Sequence, residues 1–159
     1  MVNVYTDTSV IGGCYDAEFK EWSIALFEEF KSGAKKIIIS DVAETELVGA
    51  REEILLKLNE VPLQNRMYLT ATVEANELAS TYIREGALSN KCFNDAMHIA
   101  LATLNKADVL ASWNFKHIVN LKRIRLYNSI NLRLGHQMIE IRTPREILNG
   151  KENEESQEI

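Results

Sequence analysis

The chain is short of the residues that mark special architectures: among 159 residues there are two cysteines, two prolines and seven glycines. So little proline and glycine excludes collagen-like, linker-rich and largely disordered chains. Cys14 and Cys92 are too few for a disulfide framework, and with no Cys-x-x-Cys pair or Cys/His spacing they do not suggest zinc; they read as buried, reduced thiols. No uncharged apolar run approaches the length that spans a bilayer, and the opening MVNVYTDTSV lacks a basic segment ahead of an apolar one. The expectation is a reducing, cytoplasmic compartment and no membrane association. Positive charge is also scarce: the formal charge is −5, and residues 151–159, with one Lys and four Glu, carry most of it. A strongly basic footprint for duplex DNA is therefore missing.

What is there is ordinary globular material, 46% hydrophobic and 26% charged. The length fits a single unit, read here as residues 1–149 followed by an acidic tail, 150–159. Val2 to Thr6 is a short β-rich run feeding Asp-Thr-Ser, all helix-capping residues. Phe19, Trp22, Leu26, Phe27 and Phe30 recur at helical spacing within 16–31, and Gly33 is the stop. Lys36 to Ile39 is a second strand, followed by Asp41 and Glu44 at capping-box spacing and by one bent helix or two short ones around Leu47 and Gly49. Met67 to Leu69 is a weak third strand, and helices follow around Leu78 to Ile83, ending at Gly86, and from about Lys91 to Leu104. Asp108 to Trp113 is a fourth strand, Leu121 to Leu134 a helix ending at Gly135, and Met138 to Ile141 a fifth strand. Thr143-Pro144-Arg145-Glu146 then opens a short helix with Thr143 as cap and Glu146 closing the box. Five strands separated by helices imply right-handed parallel crossovers, hence an α/β sheet covered on both faces.

In such sheets ligands gather outside the carboxyl ends of the strands, so the polar residues there are the candidate site. Asp7 follows the first strand, Asp41, Glu44 and Glu46 the second, Asn114 the fourth, and Asp95 opens the helix before it. Glu44 is explained by the capping box, which leaves Asp7, Glu46, Asp95 and Asn114. Three carboxylates and a neutral carbonyl are hard oxygen ligands suited to Mg²⁺ or Mn²⁺. Each also has a structural reading: Asp7 as a helix cap, Asp95 at the positive end of a helix dipole, His98 as a hydrogen-bonded core residue. Residues 109–139 hold no Asp or Glu but contain Lys116, Lys122, Arg123, Arg125 and Arg133 with His117 and His136. That stretch is either a phosphate-tracking surface or a solvated helix face.

Taken together, YTDTSV, ISDVAETEL, NDAMHIALA and ASWNFKHI, with ELASTYIREGALSN and the closing EIRTPREIL, resemble the PIN-domain family of metal-dependent nucleases over nearly all of residues 1–149. The resemblance implies a three-layer α/β/α domain with a five-stranded, mainly parallel sheet and Mg²⁺- or Mn²⁺-dependent hydrolysis of RNA phosphodiesters. It puts Asp7, Glu46 and Asp95 on the family's first three acidic positions, as metal ligands, and Asn114 where Asp or Asn is common, orienting the attacking water. His117 stands near a place that is acidic in some relatives, which implies one firmly held ion and a second that arrives with RNA. Thr8, Ser9, Lys116, Lys122, Arg123 and Arg125 are the implied RNA contacts. The compact length looks like the toxin half of a VapC-type pair, implying a small antitoxin protein as partner and a homodimer. The alternative is a PIN-like module that binds RNA or protein without cleaving; a phosphatase with an aspartyl-phosphate at Asp7 is disfavoured because Asp7-Thr8-Ser9 lacks the second acid of Asp-x-Asp.

Overall fold

The computed structural model describes residues 1–46 and 51–149, apart from the side chains of Glu44 and Arg51. Strands β1 (Val2–Thr6), β2 (Lys35–Ser40), β3 (Arg66–Leu69), β4 (Val109–Ala111) and β5 (Ile141–Arg142) form one sheet in the order β3-β2-β1-β4-β5. Every neighbouring pair is parallel, with Tyr5 level with Ile38 on one side and Leu110 on the other. Helices α1 (Thr8–Gly13) and α2 (Lys20–Ser32) link β1 to β2, and α3 (Asp41–Glu46) and α4 (Arg51–Asn59) lie between β2 and β3. Helices α5 (Val73–Arg84) and α6 (Phe93–Leu104) carry the chain from the β3 edge across to β4, and α7 (Leu121–Arg133) leads to β5.

Strand alternation divides the core in two. Val4, Ile37, Ile39, Val109 and Ala111 point to one face and pack on Val10, Ile11, Leu26, Phe27, Phe30 and Ile54 of α1, α2 and α4. Tyr5, Ile38 and Leu110 point to the other, against Leu78, Tyr82, Ile99, Leu101 and Tyr127 of α5, α6 and α7. A central parallel strand buried on both faces must be apolar throughout, which is why β2 reads as an unbroken isoleucine run. The expected α/β/α architecture is thus the observed one, and the stops at Gly33, Gly86 and Gly135 all adopt left-handed backbone, with φ of 84°, 83° and 84°.

Element boundaries differ in two instructive places. Helix α2 begins at Lys20 rather than near Asp16, because Asp16 Oδ1 accepts the Glu18 N–H at 2.8 Å and holds the approach in a turn. Strand β5 begins at Ile141 rather than Met138, because the buried Asn128 side chain replaces a strand partner for Ile139: its Oδ1 accepts the Ile139 N–H at 2.7 Å and its Nδ2 donates to the Ile139 carbonyl at 3.1 Å. The box at Thr143 forms as expected, with Thr143 Oγ1 accepting the Glu146 N–H and Glu146 Oε1 accepting the Thr143 N–H, both at 3.2 Å. Leu47, Gly49 and the acidic tail lie outside the described residues. Asn128→Ala leaves both backbone groups of buried Ile139 unpaired and is expected to cost about 2–3 kcal/mol in urea unfolding; an unchanged midpoint would contradict this role.

Candidate metal centre

The chain leaves β1 and β4 in opposite directions, and the crevice this opens at their carboxyl ends is where an α/β sheet presents ligand-binding residues. Asp7, directly after β1, is 4% exposed. Its Oδ1 accepts from Ser9 Oγ at 2.6 Å and from the Val10 N–H at 3.3 Å, and its Oδ2 accepts from Ser112 Oγ at 2.6 Å. The capping role foreseen for Asp7 is therefore real, but it occupies only part of the carboxylate. Ser9 Oγ accepts the Trp113 N–H and Ser112 Oγ accepts the Asn114 N–H, each at 2.9 Å, so the turn after β4 is clamped onto the turn after β1. Asn114 Nδ2 stands 3.5 Å from Asp95 Oδ2, in the first turn of α6, while Asn114 Oδ1 accepts the His117 N–H at 3.0 Å.

Glu46 arrives from the other side, at the end of α3. Its Oε1 lies 2.6 Å from His98 Nε2, and His98 Nδ1 lies 2.7 Å from Tyr5 Oη, which is itself 2.7 Å from Ser40 Oγ. For a neutral ring the consistent assignment has Nε2 donating to Glu46 and Nδ1 accepting from Tyr5, whose oxygen accepts from Ser40. His98 is 1% exposed, the hydrogen-bonded core residue its sequence context suggests, and it also joins α6 to Glu46.

The electrostatics follow from burial. Desolvation pushes the Asp7 carboxyl above the ordinary range, against the opposing pull of His98 and of the hydrogen bonds from Ser112, Ser9 and Val10. Asp95 is raised by burial and further by the like charges of Glu46 and Asp7, with His98 and His117 opposing. Among the described residues neither Asp7 nor Asp95 has a Lys or Arg in salt-bridge contact. Desolvated, mutually repelling carboxylates without a cationic side chain are the donor set that a hard divalent cation satisfies, so the chemistry of the residues present fits Mg²⁺ or Mn²⁺, although the ligand atoms of Asp7, Glu46 and Asp95 do not all lie within 4.8 Å of one another.

The proposed RNA contacts divide. Lys116, Lys122 and Arg125 are exposed and form no salt bridge among the described residues. The Arg123 guanidinium donates to the backbone carbonyls of Lys116 and Ala87, at 3.1 and 2.7 Å. Arg133 pairs with Glu85. Ser9 is engaged by Asp7 and Trp113, whereas Thr8 Oγ1 is buried without a hydrogen-bond partner among the described residues. Sequence reasoning passed over Phe115, whose ring is 52% exposed next to Asn114 and packs against Trp113 and Phe19. It also passed over the meeting of Cys92, Asp95 and His117, whose ligand atoms all lie within 4.8 Å of one another.

No family model and no curated protein sequence matches the chain. Solved structures do match in fold. A toxin-antitoxin complex from Klebsiella pneumoniae superposes with a TM-score of 0.57 at 16% identity, covering 89% of this chain and 97% of that one. DNA-bound VapBC from Salmonella typhimurium gives 0.57 at 16%, covering 91% and 99%. VapC20 of Mycobacterium tuberculosis, described as a sarcin-ricin loop cleaving toxin, gives 0.55 at 12%, covering 72% and 92%. The chain has the fold of the VapC-type PIN-domain toxins.

The burial of Asp7 carries a stability consequence. A carboxyl raised in the folded state contributes stability below its unfolded value, near 3.9, and loses it as pH rises through the folded value. In EDTA, Asp7→Asn is expected to unfold at a higher urea concentration than the parent at pH 7.5, the gap closing toward pH 4. A parent more stable than the variant at neutral pH would contradict the burial argument.

Proposed function

We propose that this protein is a divalent-metal-dependent endoribonuclease of the VapC toxin type. The observation that carries the reading is that two desolvated acids, Asp7 and Asp95, with Asn114 beside Asp95 and the charge of Glu46 acting on it, have no Lys or Arg in salt-bridge contact among the described residues. Asp7, Asp95 and Glu46 would hold Mg²⁺ or Mn²⁺. When bound, such an ion supplies Lewis-acid stabilisation of charge on the scissile phosphate and a source of hydroxide at neutral pH.

The chain's own groups do the positioning. Ser9 and Ser112 fix both oxygens of Asp7, and Asn114 sets Asp95 from the same turn. His98 fixes Glu46 from within the core. Asn114, whose amide now meets Asp95 and the His117 N–H, would orient a water once RNA enters. Lys116, Lys122 and Arg125 would track phosphates, and the exposed Phe115 ring offers a base-stacking platform beside the acids. These features favour single-stranded RNA or exposed loops over duplex. The solved toxin-antitoxin complexes of the same fold support a small antitoxin protein as partner here as well.

Cleavage of end-labelled RNA hairpins tests the reading. The parent is expected to cut in Mg²⁺ or Mn²⁺ and not in EDTA, and Asp95→Asn to lose at least about 100-fold in rate, the scale of removing a group that stabilises the transition state electrostatically. RNA binding with no metal-dependent cleavage would overturn it in favour of a non-cleaving RNA-binding module.

A further inference from the structure

One cluster falls outside the hard carboxylate set in its chemistry. Cys92 is the N-cap residue of α6 and Asp95 lies in the first turn of that helix, so the i, i+3 spacing puts both on one side of its amino end. His117 comes from the turn after β4. The Cys92 Sγ, an Asp95 carboxylate oxygen and a His117 ring nitrogen all lie within 4.8 Å of one another. Ligands of a tetrahedral zinc ion, at about 2.0–2.3 Å from the metal, stand about 3.3–3.8 Å apart. The three atoms therefore reach a common ion by small side-chain rotations.

Two further observations set this cluster apart from a chance meeting. His117 Nδ1 is buried without a hydrogen-bond partner among the described residues, an uncommon state for an imidazole nitrogen. The His117 backbone is held at both ends, its N–H by Asn114 Oδ1 at 3.0 Å and its carbonyl by Tyr127 Oη at 2.6 Å, so the ring is carried on a fixed base. Cys92 is buried and not in a disulfide, and among the described residues only the Ser89 hydroxyl, at 3.5 Å, is in hydrogen-bond range of its sulfur.

We propose that Cys92, Asp95 and His117 form a Zn²⁺ site with its fourth position open to water or an anionic ligand, sharing Asp95 with the carboxylate set. Thiolate and imidazole select a borderline ion over Mg²⁺, while Asp7 and Glu46 stay outside this set. Because one carboxylate serves both, zinc withdraws Asp95 from the hard-metal set. That consequence, inhibition of Mg²⁺-dependent cleavage by zinc, rests on the ribonuclease reading; the site itself does not.

Cobalt titration of the full chain tests the site without RNA. Co²⁺ is expected to give a near-ultraviolet sulfur-to-cobalt charge-transfer band with intense tetrahedral visible bands, both displaced by Zn²⁺. Cys92→Ser should abolish the charge-transfer band, and His117→Gln should weaken Zn²⁺ binding by at least about tenfold. Cys14→Ser should leave the cobalt spectrum unchanged. Circular dichroism melts establish that each variant is folded, and His117→Gln keeps the test alive if Cys92→Ser is not. Cobalt bound without the charge-transfer band, or Zn²⁺ held equally well by a folded Cys92→Ser or His117→Gln, would overturn the site. Either result leaves Mg²⁺-dependent cleavage to be decided by the RNA assay.

Discussion

A buried carboxylate, Asp7, and a half-buried one, Asp95, at the carboxyl edge of the sheet, with no lysine or arginine in salt-bridge contact with either among the described residues, are the constraint around which this molecule is arranged. Burying like charges together costs free energy, and a fold chosen only for stability would place apolar groups there. The surroundings limit the cost with oriented donors in place of cations. Ser9, Ser112 and the Val10 N–H all donate to Asp7, and the Asn114 amide Nδ2 stands 3.5 Å from Asp95 Oδ2. Hydroxyls and amides leave the net negative charge intact, so attraction for a cation is retained while the side chains are held still.

Rigidity comes from the two cores. Tyr5 sits in the middle strand, fully buried in the core that α5, α6 and α7 form on one face of the sheet, yet its hydroxyl ends at His98 and, through it, at Glu46. On the opposite face Trp113 stacks on Phe19 and donates to Ser23, which fixes the backbone immediately before Asn114. Gly13 leaves the room for that indole: a Cβ there would meet Ser23 Oγ at 2.5 Å and Trp113 Nε1 at 2.8 Å. Asp7 and Asn114 thus lie within two positions of a packed aromatic residue, Tyr5 and Trp113, while Glu46 is reached from Tyr5 through His98.

Much of the fold was legible because its signals are local. The isoleucine run of β2, the helical recurrence of Phe19 to Phe30 and the glycine stops each depend on a few neighbouring residues. So was the gathering of Asp7, Asp95 and Asn114, since the carboxyl ends of parallel strands share one edge whatever the details of the loops. The remainder depends on contacts that no local pattern encodes. The start of β5 is set by Asn128, eleven residues upstream; His98 meets Glu46 across 52 residues; and Cys92 meets His117 only because the turn after β4 folds over the amino end of α6. Cysteine and histidine spacing along the chain gives no hint of that last encounter.

Anomalous scattering from a crystal of the protein soaked in Mn²⁺ addresses the central claim most directly, because it locates the cation irrespective of any activity. A peak bounded by the carboxylates of Asp7, Glu46 and Asp95, with Ser9 and Ser112 still on Asp7, is the predicted result. A map with no peak in that crevice at a manganese concentration that occupies other acidic clusters of the same crystal would contradict it.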